Sequence, residues 1–295
     1  MLQGTSIVLR QGLGEPQILV GDTNAKENLI VSPSGKKAVF NEVYKPYTAP
    51  NPGPDFSMGV LDLEKKEELC RVTVEGVGRY LNRLEWLNDR WVLIRGEYIR
   101  FFDAEACRAS DFLWAVETAI APDRTKIAFV YGPSPKRSPE PPSYAAGLAL
   151  LEKALEEQRW TWHPVFPRHS TKSYPDEEWR TTGIKHFFWG QLAWDAQSRR
   201  FAFVQEIAGK FWLVCLDVEP VLQEKAPIIL LRQPFEMINP SYAPVSWDGD
   251  VVTVTEGQRY EPEERPKLTW TFHCPPAGSP AATTETGPPA PKRDD

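Results

Sequence analysis

A short apolar strand, a tight polar turn and a second strand of alternating apolar residues recur five times in this chain of 295 residues. The first copy reads Leu29-Ile30-Val31-Ser32-Pro33-Ser34-Gly35-Lys36-Lys37-Ala38-Val39-Phe40, and the second Leu84-Glu85-Trp86-Leu87-Asn88-Asp89-Arg90-Trp91-Val92-Leu93. The third is Ala119-Ile120-Ala121-Pro122-Asp123-Arg124-Thr125-Lys126-Ile127-Ala128-Phe129. Leu192 to Phe203 and Val245 to Val254 complete the series. Pro, Asp, Asn and Gly supply the turn chemistry, and period-two alternation supplies the strands. Repeated units bury their apolar faces by stacking on their neighbours, so this periodicity constrains the fold more than any composition does.

A second element follows. Leu61-Asp62-Leu63-Glu64, Phe102-Asp103-Ala104-Glu105 and Leu216-Asp217-Val218-Glu219 each end an apolar strand and enter a polar turn, with Leu150-Leu151-Glu152 as a degenerate member. Asp suits that position because its side chain hydrogen-bonds the backbone just ahead of it. A further apolar segment then follows, such as Leu69 to Val74 or Ile228 to Leu231. Four strands per unit, at the roughly 40–50 residues of a propeller blade, predict an all-β chain of the β-propeller class. The Ser-Pro-Ser-Gly-Lys-Lys-Ala-Val-Phe and Ala-Pro-Asp-Arg-Thr-Lys-Ile-Ala-Phe turns resemble the repeats of TolB-like β-propellers. Similar repeats form the propeller domain of prolyl oligopeptidase-type enzymes. The resemblance implies a fold, and functional residues do not travel with it.

Residues 5–22 look like the outer hairpin of a blade whose inner strands are missing, and the copy at 242–255 has inner strands with a less clear outer half. Joining the two closes a ring of five blades and removes exposed edges. If Leu268 to Phe272 is instead the last blade's own third strand, the N-terminal hairpin belongs to a sixth. Five is the expectation carried forward. Ala145 to Arg159 reads as a strand running into a short helix, since Leu148, Leu151 and Leu155 sit at helical spacing. The domain is expected over 1–274, with 275–295 a flexible Pro/Ala/Thr-rich tail.

A net charge of −6 argues against a partner bound by phosphate neutralisation, hence against nucleic acid. No stretch approaches the roughly 18 apolar residues of a membrane helix. The four cysteines, Cys70, Cys107, Cys215 and Cys274, form no CxxC pair and read first as small buried hydrophobes, with disulfides open to an exported chain. No signal peptide is visible, so a complete chain would be cytoplasmic and a trimmed one extracytoplasmic.

Connections between second and third strands share an end of the blade with those that lead to the next blade. The Ser32–Asp62 and Ala121–Glu152 intervals exceed the corresponding Trp86–Asp103 and Trp194–Asp217 intervals. Their surplus is rich in Pro and Tyr, and residues 257–266 form a third such loop. Pro-stiffened, aromatic loops lose less entropy on binding. The predicted function is therefore a non-catalytic binding or scaffolding module, engaging a protein segment or glycan through Tyr47, Tyr144, Trp179 and Tyr260. The Trp162–His186 stretch adds His163, His169 and His186, a conceivable metal set of no standard spacing. The alternative is a glycoside hydrolase-like enzyme using Glu85 and Glu117 near a central channel as acid and base. The sequence holds no G-x-S-x-G, P-loop, G-x-G-x-x-G or H-E-x-x-H motif, and no cofactor is expected.

Overall fold

The computed structural model describes residues 2–3, 5–9, 16–45, 55–74, 83–95, 99–111, 113, 115–131, 145–157, 163–166, 192–207, 210–223, 225, 228–237, 244–256, 268–281 and 292–293. The described chain is almost entirely antiparallel β, and it falls into two compact units. Unit one comprises Met1–Trp114 with Leu155–Trp160, and unit two Ala115–Ala154 with Thr161–Asp295.

Unit one begins with a three-stranded sheet, β1 (Leu2–Gln3), β2 (Ser6–Leu9) and β3 (Gln17–Gly21). Its first four-stranded sheet is β4 (Ala25–Val31), β5 (Lys37–Lys45), β6 (Asp55–Asp62) and β7 (Glu67–Val74), hydrogen-bonded in chain order. The next is β8 (Arg83–Trp86), β9 (Trp91–Arg95), β10 (Ile99–Asp103) and the two-residue β11 (Arg108–Ala109). In unit two, β12 (Ala115–Ile120), β13 (Lys126–Tyr131), β14 (Ala145–Leu150) and β15 (His163–Phe166) form one sheet. A second contains β16 (Leu192–Trp194), β17 (Arg200–Ile207), β18 (Lys210–Asp217) and β19 (Ile228–Phe235). The last contains β20 (Val245–Asp248), β21 (Val251–Thr255), β22 (Leu268–His273) and β23 (Lys292–Arg293). Each four-stranded meander is a β-propeller blade, as the repeats predict.

The first and fourth four-stranded sheets bury both faces against their neighbours, and the strands' apolar residues sort accordingly. On β17, Phe201 and Phe203 enter the cluster that contains Ala128, Val130, Ala146 and Leu148 of the preceding sheet. Ala202 and Val204 point the other way, into the cluster with Val252, Val254, Trp270 and Phe272 of the following one. In unit one, Val39, Met58 and Val60 pack with Trp86, Val92, Ile94 and Phe102, while Ala38, Phe40 and Leu61 pack with Ile7 and Val20 of the three-stranded sheet. At about 25 cal/mol per Å² of apolar surface removed from water, these seams are the main stabilising contribution.

A hydrogen bond repeats at the seams. At or next to the end of a blade's first strand stands a tryptophan whose indole N–H donates to a carbonyl of the preceding blade's first strand. Trp86 donates to Ile30 O at 3.3 Å, Trp194 to Ala119 O at 2.8 Å, and Trp247 to Ala193 O at 2.8 Å. In the first four-stranded sheet of each unit the aligned position holds Ser32 or Ala121. The turns hook together as well: Ser34 N–H donates to Asp89 Oδ1, and Asp123 N–H to Ser198 Oγ, each at 2.9 Å.

Several expectations change. The hairpin at the N-terminus pairs with Leu2–Gln3 in a three-stranded sheet, and β22 is the last sheet's own third strand. The start of the expected tail is held: buried Arg200 donates to Pro275 O at 2.9 Å, Gly278 N–H donates to Asp217 Oδ2 at 2.7 Å, and Lys292–Arg293 pair with β22. At the degenerate member, Leu150-Leu151-Glu152, no Asp is present to bond the backbone ahead, and Leu151 begins a helix, Leu151–Glu157, as its leucine spacing predicts. Cys70 and Cys107 are disulfide-bonded, while Cys215 and Cys274 are free and buried as small hydrophobes.

Two glycines are fixed by ring packing. Phe40 on β5 lies opposite Gly59 on β6, and Phe129 on β13 lies opposite Gly147 on β14. A Cβ on Gly59 would fall 2.2 Å from the Phe40 ring, and one on Gly147 2.5 Å from Phe129. Gly59→Ala should therefore lower stability by about 1–3 kcal/mol in denaturant melts. Most of that loss should disappear in a Phe40→Leu background, where the added methyl has room.

Candidate functional site

In the first four-stranded sheet, Lys26, Glu42, Ser57 and Thr73 are successive cross-strand partners from β4 to β7. They form a row at the end of the sheet that carries the β5–β6 connection, residues 46–54, from which β8 is also approached. Phe40, Gly59 and Arg71 form the next row on the same sheet face, and the Arg71 guanidinium lies 5.6 Å from the centre of the Phe40 ring. Asp22, just beyond β3, reaches both rows.

The result is an ionic cluster that ties the three-stranded sheet to the first blade. Lys26, whose side chain is fully buried, contacts Asp22 and lies 3.0 Å from Glu42 Oε2. Arg71 bridges Asp22 at 2.8 Å, Glu42 at 2.5 Å and Glu68 at 2.7 Å. Asn24 donates to Glu42, and Lys26 donates to the Asn24 carbonyl at 2.9 Å. Burial alone would raise the Asp22 carboxyl, but hydrogen bonds from Arg71 and Lys26 outweigh it and hold the group well below the usual carboxylate range. The Glu68 carboxylate is the largest influence holding the Arg71 guanidinium in its charged form. A buried lysine is tolerable here because its one positive charge meets the Asp22 and Glu42 carboxylates and the Asn24 carbonyl within hydrogen-bond distance. Chemically, the cluster is a rigid platform beneath the loop-bearing end.

Second-to-third-strand connections differ systematically in length. They span 46–54, 132–144 and 256–267 in the first, third and fifth four-stranded sheets, but only 96–98 and 208–209 in the second and fourth. This is the asymmetry that the sequence intervals predict. Tyr47, Tyr144, Trp179, Tyr260, His169 and His186 lie outside the described residues. The backbone of His163 is described, and it opens β15, paired with Leu148, instead of lying in an inter-blade loop. Glu117 lies on β12, its side chain outside the described residues. Glu85 on β8 is half-exposed and accepts a hydrogen bond from Arg95 at 2.5 Å, so its carboxylate is committed to an ion pair within unit one. No grouping of three or more metal-ligating side chains occurs among the described residues.

The Asp22–Lys26–Glu42–Arg71 cluster was not anticipated. Its one sequence signal is the polar run Lys26-Glu27-Asn28 inside a strand whose register buries Lys26.

Several solved structures are similar to this chain at low sequence identity. TolB from Acinetobacter baumannii aligns with 12% identity over 88% of this chain and 54% of its own, with a TM-score of 0.37. The β-propeller domain of Cps50 (Swd1) from Myceliophteria thermophila aligns with 12% identity over 99% of this chain and 75% of its own, at 0.44. A prolyl endopeptidase aligns with 9% identity over 90% of this chain and 35% of its own, at 0.43. The chain thus spans about half the length of that TolB structure. No protein-family model and no curated protein matches the sequence.

The cluster makes a pH prediction. Because the Asp22 carboxyl is depressed in the folded state, its contribution is fully present above the ordinary carboxylate pKa of about 4 and is lost as pH falls below it. Asp22→Asn should cost about 2 kcal/mol at pH 7, as expected for hydrogen bonds to charged partners. Stability measured from pH 6 down to pH 2 should fall less steeply in that variant than in the parent.

Proposed function

We propose that the chain is a non-catalytic binding and scaffolding module, holding an extended protein segment or a glycan on the loop-bearing ends of its blades. The alternation of connection length carries this reading: long connections in the first, third and fifth blades, short ones between. Each long connection contains proline and tyrosine, with Tyr47, Tyr144 and Tyr260 one to each, and Trp179 follows β15. Proline restricts the unbound loop, and a tyrosine ring brings a large contact area with few rotatable bonds, so less entropy is lost on binding. The first blade's sheet is buried on both faces, and its ionic cluster fixes the strand ends from which residues 46–54 depart. Loops on a rigid scaffold are where binding residues concentrate in folds of this kind.

Immobilised arrays of proline-rich peptides and of glycans, probed with the full chain and followed by calorimetry on the hits, test the reading. Alanine at Tyr47, Tyr144, Trp179 or Tyr260 should weaken binding of the selected ligand about tenfold or more while moving the melting temperature by less than about 2 °C. Large stability losses with unchanged affinity would make them packing residues and end the proposal.

A further inference from the structure

Cys70 and Cys107 join two different sheets. Cys70 lies on β7, the outermost strand of the first blade, and Cys107 lies in the turn between β10 and β11 of the second, 37 residues later. Both are half-buried and pack at the rim of the apolar cluster between these sheets.

The backbone at Cys107 gives an independent observation. The turn after Asp103 repeats the turn after Asp62: in each, the Asp Oδ1 accepts the N–H groups two and three residues ahead. The next residue of each turn is left-handed, Lys66 with φ 61° and Cys107 with φ 49°. That conformation favours glycine and disfavours residues bearing a Cβ. Cysteine is thus held at a glycine position, and the bond to Cys70 is what its presence there accomplishes. The other two cysteines behave differently: Cys215 and Cys274 are buried in one apolar cluster, and burial pushes the Cys215 thiol up, away from its reactive thiolate.

We propose that Cys70–Cys107 is an exchangeable redox staple, which makes the stability of unit one depend on the thiol–disulfide poise around it, while Cys215 and Cys274 stay reduced. Closure uses a low-molecular-weight disulfide of the glutathione class. One protein thiolate attacks it and expels a first small thiol; the second protein thiolate then displaces the other. Two electrons pass to the small disulfide, the two cysteine protons end on the two released thiols, and one S–S bond forms in the protein. Opening is the reverse, with a small thiol as attacking group, and the half-buried position of the pair gives it access.

The experiment uses the full chain equilibrated in oxidised or reduced glutathione. In the oxidised buffer, non-reducing peptide mapping should find one cross-linked peptide pair containing Cys70 and Cys107. Two thiols should titrate, and only after denaturation. The melting temperature should fall by about 5–10 °C in the reduced buffer. Cys70→Ala should melt identically in both buffers, near the reduced parent. Cys107→Gly should also be insensitive, but should melt above the reduced parent because the left-handed position is relieved, and below the oxidised one. Lys66→Gly should stabilise by the same increment in both buffers. Four titrating thiols after oxidation, a cross-link through Cys215 or Cys274, or equal melting of the parent in both buffers would each overturn the proposal.

Discussion

The seam between consecutive blades is where this fold is decided, and the indole of the first strand is its fixed point. A sheet buried on both faces has no intrinsic position relative to its neighbour, because apolar surfaces slide. A tryptophan that both fills the apolar seam and donates to a carbonyl of the preceding blade's first strand converts a greasy contact into a directional one. Trp194 and Trp247 do this at 2.8 Å, and Trp247 is further covered by the Arg200 guanidinium, 4.8 Å from its ring. The hook between turns, from Ser34 to Asp89 and from Asp123 to Ser198, adds a second point of registration in the turn that leaves the same strand end. Two points fix an angle as well as a distance.

Polar groups inside such a stack are costly unless saturated, and two sites show how that is met. Arg200 is buried, yet its guanidinium is shared among Asp195, Asp250 and the carbonyls of Cys274 and Pro275. Lys26 is buried, yet Asp22, Glu42 and the Asn24 carbonyl surround it. Arg200 links elements 50 and more residues apart, and Lys26 joins the residue just beyond β3 to β4 and β5, so each constrains which segments meet. Ionic clusters of this type specify an arrangement more than they stabilise it.

Much of the architecture was legible because repetition multiplies a weak signal. A single Asp-turn is ambiguous; Asp62, Asp103 and Asp217 at one place in three units are not. Features without repetition were opaque. β1 and β23 have two residues each, too few for any period to register. His163-Pro164-Val165-Phe166 contains a proline, which argues against a strand when read alone. The Lys26–Arg71 cluster depends on cross-strand register, and irregularities between Glu27 and Ile30 and between Val60 and Leu61 shift that register invisibly to sequence. Four cysteines allow six single pairs, and the placement of β7 beside the β10–β11 turn selects Cys70–Cys107. The long connections were visible as lengths, since loop surplus is plain arithmetic, whereas the contacts of their tyrosines are properties of three dimensions.

The hold on residues 274–278 acts together with the return of the chain to β22 at Lys292–Arg293. A segment fixed at both ends is a bridge and not a tether, and Arg200, Asp217 and β22 set where its two ends lie. Loop-closure entropy grows with the length between fixed points, so anchoring Gly278 lowers the cost of pairing β23 with β22. A label joined at Arg293 would thus be carried by the edge of the last sheet, its position set by unit two.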